Sequence, residues 1–433
     1  MRREMKRREF LRLVGIGAGA AALTACAATP QAVEKVIEKE VTVVVEKEVT
    51  AAAEATAVVH EGPAVPCADM TIEGHVVFST WGGPKEVQTN EVIKELFNEA
   101  YPNATAEVLH IPSHYLDKVL TMFAGGTPPD VLYATTAWLA GFIEKGALLD
   151  LTEYYDECPV LMDDTVYVTR YLEEGSTLQG HHFGTANGTN GYVIYYNKTL
   201  FDEAGVDYPT LEWDWDDYVE AAVALTKREG GVTTQYGSLG SLPYQLLEVL
   251  LRSQESDIFN RRFLPDKCFL DTEEAVWALQ WVQDLIYEHR VAPTPAEAQA
   301  MPASHPWETG RVAMEIGHSF AIEHRSLITD WEWDIAHVPK GKVRGGSYSG
   351  GHYFVAKPTA SKRLAWEYAK WFMMDAPQGV FALDGLEAPL MRKWRESDAH
   401  LKFPGAPEHH SVRGELLEYA TLRGCHHPRF AEI

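Results

Sequence analysis

Between His75 and Tyr133 the chain runs strand, helix, strand, helix, strand, and that order restricts it to very few folds. His75-Val76-Val77-Phe78-Ser79-Thr80 is a β-type run stopped by Gly82-Gly83-Pro84. Glu86 to Ala100 then carries apolar residues at Val92/Ile93, Leu96/Phe97 and Ala100, the spacing of one helix face. Pro102-Asn103 ends that helix, and Thr105 to Ile111 predicts a second strand. Ser113 is placed to cap a helix with Leu116, Val119/Leu120 and Phe123 on one face. Gly125-Gly126-Thr127-Pro128-Pro129 turns the chain into a third strand, Asp130-Val131-Leu132-Tyr133. Strands separated by helices in this way form a parallel sheet with right-handed crossovers.

A second alternating region starts near Gly191 with the strand Tyr192-Val193-Ile194-Tyr195-Tyr196. Helices are expected at Asp214 to Glu229 and at Asp271 to Arg290. The latter has Asp271 and Glu274 at capping-box spacing and Val276, Leu279, Val282 and Ile286 as its inner stripe. Ser347 to Val355 reads as a strand entered through the glycine hinge Gly350-Gly351, and Lys362 to Met374 as an aromatic-rich helix. A chain of 433 residues can bury two cores. Two α/β units with chain crossings near 187–190 and 349–352 predict a bilobed protein. Ligands of open parallel sheets sit beyond the carboxyl ends of the strands, so the cleft between the lobes is the expected site.

The first 25 residues read as an address. Arg7-Arg8-Glu9-Phe10-Leu11-Arg12 precedes a Gly/Ala-rich stretch, Leu13 to Ala22, too short and small-sided to span a bilayer. The arginine pair resembles a twin-arginine export signal, and Leu23-Thr24-Ala25-Cys26 is similar to a bacterial lipobox. Together they imply cleavage before Cys26, lipidation of its thiol, and a protein anchored to the membrane rather than spanning it. Residues 26–71 form a tether in which Glu38-Lys39-Glu40-Val41-Thr42 recurs as Glu46-Lys47-Glu48-Val49-Thr50. The formal net charge of −24 includes +4 from the first 25 residues, which leaves about −28 without them. Such a surface repels phosphate backbones, so no nucleic-acid partner is expected.

With Cys26 acylated, four cysteines remain: Cys67, Cys158, Cys268 and Cys425. Disulfides and free buried thiols both fit, and no pairing can be read from the spacing. Adjacent histidines at 181–182, 409–410 and 426–427 would point to opposite faces of a strand, and Pro112 separates His110 from His114. No metal or other cofactor is expected.

Several segments in order resemble the extracellular solute-binding protein family 1. They are Phe97-Asn98-Glu99-Ala100-Tyr101-Pro102-Asn103, Ala124-Gly125-Gly126-Thr127-Pro128-Pro129-Asp130-Val131, Gly146-Ala147-Leu148-Leu149-Asp150-Leu151-Thr152, Tyr196-Asn197-Lys198-Thr199-Leu200-Phe201 and Gly310-Arg311-Val312-Ala313-Met314. The resemblance spans about residues 72 to 430 and includes maltose-binding proteins. It implies a two-lobed periplasmic-binding-protein (type II) fold of the α/β class with an interlobe ligand cleft. It also implies capture of a sugar, oligosaccharide or related polar solute, a monomeric protein, and delivery to the permease subunits of an ABC importer. The expected N-terminal lobe is 72–187 plus 352–385, and the C-terminal lobe 190–350 plus 386–433. Family members carry more helical sequence beyond Ala431-Glu432-Ile433, so a truncated or divergent end is expected.

Candidate ligand contacts follow. Thr80-Trp81-Gly82 lies where the first strand meets its helix, and the Trp81 indole can stack on a sugar ring. Trp138 is either a second platform or the apolar face of the helix that begins there. Asn190 either reads a hydroxyl through its amide or makes turn chemistry with Gly191. Tyr244 and Phe320 correspond to aromatic positions of the family, with His318 as a hydrogen-bonding partner. Gly351 and His352 either approach the ligand or act only as a hinge. Two rivals stand beside capture for transport. A solute sensor would share all these features, whereas an exported glycoside hydrolase would need a catalytic carboxylate setting that does not stand out.

Overall fold

The computed structural model describes residues 67–433 apart from 242, 302–304, 327, 426 and 428–433. Cys26, the export segment and the tether as far as residue 66 lie outside the described residues.

Strands β1 (Gly74–Thr80), β2 (Ala104–His110) and β3 (Val131–Ala134) are parallel, in the order β2-β1-β3. Helices α1 (Pro84–Ala100) and α2 (Tyr115–Ala124) make the crossovers. Pro84 opens α1, where its missing N–H costs nothing. Ser113 does not cap α2. Ile111 still donates to the Thr80 carbonyl, so the chain reverses within three residues, and His114 takes a left-handed conformation (φ 52°) at the N-cap.

After α3 (Thr169–Ser176), β4 (Gly184–Ala186) joins the first sheet, and Asn187 alone separates it from β5 (Gly188–Asn197) in the second. All ten residues of β5 are buried. It is the axis of its sheet. Strand β6 (Val232–Ser238) runs parallel to β7 (Val312–His318), and β7, β8 (Trp333–Ala336) and β9 (Ser347–Ser349) each pair antiparallel with β5. The chain then returns to the first sheet as β10 (His352–Val355), between β3 and β4. It comes back once more as β11 (Ala388–Pro389) against the start of β5, and ends near β12 (Thr421–Leu422) beside β9. The result is a two-lobed α/β fold with three chain crossings.

Ser347 to Val355, expected as one strand, is therefore two strands in different sheets. The break falls where side chains do not fit. A Cβ on Gly350 would lie 2.2 Å from the Gly188 carbonyl oxygen, and one on Gly351 would lie 1.9 Å from the Tyr133 ring.

Two helices differ from expectation. Helix α4 (Trp215–Leu225) starts at Asp214, whose carboxylate accepts from Asp216 and Asp217 in a capping box. It stops four residues early because Lys227–Glu229 pairs with β6 across a hairpin at Gly230-Gly231. Past α5 (Tyr244–Ser253), α6 (Glu273–Tyr287) is capped by Thr272, not Asp271. Its buried face is Ala275, Ala278, Val282 and Leu285, while Val276 and Leu279 are exposed. Trp277 and Trp281 pack edge-on against Trp215, and the small alanines let the helix close on the core from that side.

Cys67 and Cys158 form a disulfide, a pairing the sequence left open; Cys268 is exposed and Cys425 buried, both as thiols. The bond staples the start of the described chain to the first lobe. The carbonyl of Cys67 also accepts from Lys370, whose ammonium is buried 2.7 Å from Glu367 in α7 (Lys362–Trp371). Closing a loop of this length, 91 residues apart in sequence, restricts the unfolded chain by about 4 kcal/mol. Cys67→Ser/Cys158→Ser is expected to lose most of that in urea unfolding, and reducing agent should bring the wild type to the same midpoint while leaving the variant unmoved.

Candidate functional site

The carboxyl ends of β1 and β3 meet the crossings at one edge of the first sheet. Trp81 follows β1, and its ring centre lies 4.5 Å from Tyr133, 4.7 Å from Tyr115 and 5.4 Å from Trp138. Tyr115 is held by its hydroxyl, 2.7 Å from Ser79 Oγ. These rings form a half-buried aromatic wall. Gly82 shapes its base, because its φ of 113° suits glycine and a Cβ there would strike the Glu86 carboxylate at 1.9 Å.

In the second lobe β7 ends at His318, which pairs with Tyr192 of β5. A pocket of about 470 Å³ opens there, lined among others by Tyr192, Pro243, Glu315, His318, Phe320 and Arg325. Phe320 is 48% exposed, an apolar ring facing solvent at the pocket. Arg325 is buried over the faces of Tyr195 and Trp307, at 4.0 and 4.7 Å, and is paired with Glu315 at 2.9 Å. Its Nη1 has no hydrogen-bond partner among the described residues. The pocket thus combines an aromatic face with a fixed, unused donor.

The two walls are joined by contact. Trp81 touches Tyr133, Tyr133 packs on Gly351, and the chain runs through Gly350 to Ser349. Ser349 Oγ lies 2.7 Å from His318 Nε2, and His318 packs 5.1 Å from Phe320. Because Nδ1 of His318 accepts from the Phe320 N–H, the Nε2–H donates to Ser349. Burial, with Arg423 and Arg413 nearby, lowers the His318 pKa to about 3, so its ring is neutral at ordinary pH.

The remaining predicted residues are placed elsewhere. Thr80 is buried, and its hydroxyl donates to the Trp81 carbonyl. Asn190 is 2% exposed and its amide is fully used: it donates to Leu386 O and Glu387, and accepts from Ser319 and Arg413. The sequence offered a hydroxyl-reading amide or a turn; the structure shows a structural tie within a strand. Glu387 is itself pushed up to about 8 by burial, and so holds its proton at neutral pH. His352 is fully buried against Tyr171 and Phe354, and Gly351 is covered by Tyr133; both belong to the crossing. Tyr244 opens α5 and packs on the core of the second lobe, so it does not join the pocket lining. Trp138 ends a short 3₁₀ turn, packs on the core of the first lobe and stands beside Trp81.

Sequence reasoning missed Tyr115, Tyr133, Tyr192 and Arg325. The tyrosines read as ordinary strand and helix residues, and Arg325 has no motif around it. Among the histidine pairs, His181 turns to Asp150 at 2.6 Å while His182 stacks on Tyr155. His409 meets the buried Asp334 at 2.6 Å, and with Glu408, which also binds the Lys198 ammonium at 3.0 Å, these residues bring three possible metal-ligand atoms within 4.8 Å of one another.

The aromatic wall and the polar pocket thus both lie at the chain crossings of a two-lobed α/β scaffold. Residues 83–378 match the family described as bacterial extracellular solute-binding protein, and the chain belongs to that family. An arabinooligosaccharide-binding protein of Halalkalibacterium halodurans is 29% identical over 231 residues, 51% of this chain and 48% of that protein. The chain thus spans about half the length of this curated relative. An ABC substrate-binding protein of Listeria monocytogenes, solved with cycloalternan, superposes with a TM-score of 0.74 at 21% identity, covering 83% of this chain and 90% of that one. The maltose-bound T. maritima MalE3 gives 0.67 at 22% identity, covering 83% and 91%. These two show the fold.

The neutral His318 has a consequence for stability. The unfolded ring takes up its proton near 6.5 and the folded ring only near 3. Stability from this group is therefore full above about pH 6.5 and falls by about 1.4 kcal/mol per pH unit between 6.5 and 3. Urea midpoints measured from pH 7 to 4 should fall with acidification, and His318→Gln should make that fall shallower by about one proton.

Proposed function

We propose that this protein captures a sugar or oligosaccharide outside the cytoplasmic membrane and presents it to the permease subunits of an ABC importer. The observation that carries this is the unbroken path Trp81–Tyr133–Gly351–Ser349–His318–Phe320, which joins an aromatic wall on one lobe to a polar pocket on the other. Sugar rings offer apolar C–H faces and hydroxyl edges. Trp81, Trp138 and Phe320 supply faces for the first, and Arg325 Nη1 a donor for the second. The relative named for arabinooligosaccharide binding supports the same ligand class.

In this proposal the lobes are residues 72–187 plus 352–385 and 190–350 plus 386–433. They close on a ligand that touches both. A ligand bound equally in open and closed forms would shift nothing, so contacts from both walls are required. Gly82 lets the loop after β1 approach the ring, while Asn190, Gly351 and His352 serve the crossings. Cys26, as the lipidated residue, would hold the protein at the membrane, and it acts as a monomer.

Titration calorimetry with arabino-, malto- and manno-oligosaccharides tests the ligand class. At least one is expected to bind near micromolar Kd, about −8 kcal/mol. Trp81→Ala and Phe320→Ala should each weaken it by about tenfold or more, roughly 1.4 kcal/mol. Binding unchanged in both variants would remove the two walls from the site. For the anchor, Cys26→Ser should release the protein from the membrane fraction of expressing cells.

A further inference from the structure

A second pocket, of about 530 Å³, is lined by residues of two chain segments, 164–170 and 392–418. None of its residues lines the pocket around His318. Its floor is basic and incompletely bonded. Arg395, 7% exposed, donates from Nε to Pro389 O and from Nη2 to Thr189 Oγ1 and Ala388 O, all neutral acceptors. Its Nη1 has no protein partner, and no carboxylate among the described residues pairs with it. Burial outweighs the nearby Glu387 and Glu396 and lowers the Arg395 pKa to about 9, so the guanidinium is held out of water without a directly paired carboxylate, an unfavourable state.

Two buried histidines, His400 and His410, stand beside it with rings 4.6 Å apart, and Nδ1 of each is unpartnered. Arg413 approaches His410 Nε2 at 3.4 Å; a guanidinium only donates, so Nε2 accepts and Nδ1 of His410 carries a hydrogen. The carboxylates at this pocket do not answer Arg395. Asp164 is committed to Arg392 through two contacts of 3.0 Å, and Glu396, Glu415 and Glu418 are exposed.

One more feature keeps the place open. Gly414 lies within the short helix Val412–Glu415, where alanine would be the better helix former. A Cβ there would have a single neighbour within 4 Å, Arg395 Nη1 at 3.9 Å. Nη1 is itself almost wholly buried, and the missing side chain leaves it without a covering group from this helix.

We infer that this pocket binds a small oxyanion, whose oxygens accept from Arg395 Nη1 and His410 Nδ1 in the space left by Gly414. Arg395 grips Ala388 and Pro389 of β11 and Thr189 of β5, so the anion would sit against the first and third crossings.

Inorganic phosphate is the probe, with sodium chloride at matched ionic strength as reference, read by thermal shift and titration calorimetry on the folded chain. Phosphate at 10 mM should raise Tm by about 2 °C or more over chloride. Gly414→Asp places a tethered carboxylate over Arg395. It should raise Tm without phosphate and reduce the phosphate response at least tenfold, whereas Gly414→Ala, which adds helix propensity without charge, should keep a response. Arg395→Lys should weaken phosphate at least tenfold. No rise beyond that of chloride, or an undiminished response in Gly414→Asp, would overturn the inference.

Discussion

One side-chain amide sits where all three chain crossings meet. Asn190 lies in β5, just past the first crossing; its backbone partner in the sheet is Ser349, at the edge of the second; and its Nδ2 donates to Leu386 O and Glu387, in the third. Ser319 and Arg413 complete its acceptor side, and Ser319 Oγ also accepts from the Gly191 N–H. Gln378 repeats the device nearby, donating to Asn187 O and accepting from Met391 N. Buried amides with every donor and acceptor used are strongly position-specific, because any shift leaves an unpaired group in the interior. These two residues tie the two sheets together through buried hydrogen bonds.

That arrangement explains why the ends of the strands, and not their faces, carry the site. The strands' inner faces are packed, and β5 is buried along its whole length. At the crossings the close packing gives way to the open side of Phe320 and to Arg325, a buried arginine with an unused donor. The first wall is held by ring-on-ring contact and the second by the Arg325–Glu315 pair and its stacking on Tyr195 and Trp307. Each is rigid independently of the other, so a ligand need order little protein when it binds.

Legibility in the sequence followed the range of the interactions. The β1-α1-β2-α2-β3 unit rests on periodicity and turn residues, which are local, and it appeared within a few residues of its observed bounds. Half of the α6 stripe was misread: Val282 and Ile286 meet the core, but Val276 and Leu279 are exposed, because Trp277 and Trp281 turn the first half of the helix. Gly350-Gly351 was readable as a hinge, but that the strand is cut in two depends on Gly188 O and the Tyr133 ring, over 150 residues away. Asn190 drew attention for a sound reason, a polar amide at a crossing, yet its partners come from 319, 386, 387 and 413. Nothing near it in sequence shows that its valences are already spent. Trp81 could be found because a strand end before a glycine is a local signal; Arg325 could not, since its meaning comes from Tyr195 and Trp307.

The same tie limits how the lobes can move. A rotation of one lobe against the other must pass through Asn187, Gly350-Gly351 and the segment at Gly385–Glu387, while Asn190 keeps its bonds to Ser349, Leu386 and Glu387. Glycine supplies the torsional freedom at the second and third of these, and Gly385 already adopts a left-handed φ of 71°. Across the crossings, Glu174 of α3 accepts from Arg262 at 3.1 Å and from the Tyr348 hydroxyl at 2.5 Å, and Arg170 donates to Leu417 O and Ala420 O. These contacts are polar and partly exposed, each of the kind water can replace at small cost, whereas the Asn190 set is buried and cannot be exchanged. Motion is therefore expected to break the α3 contacts and spare the amide.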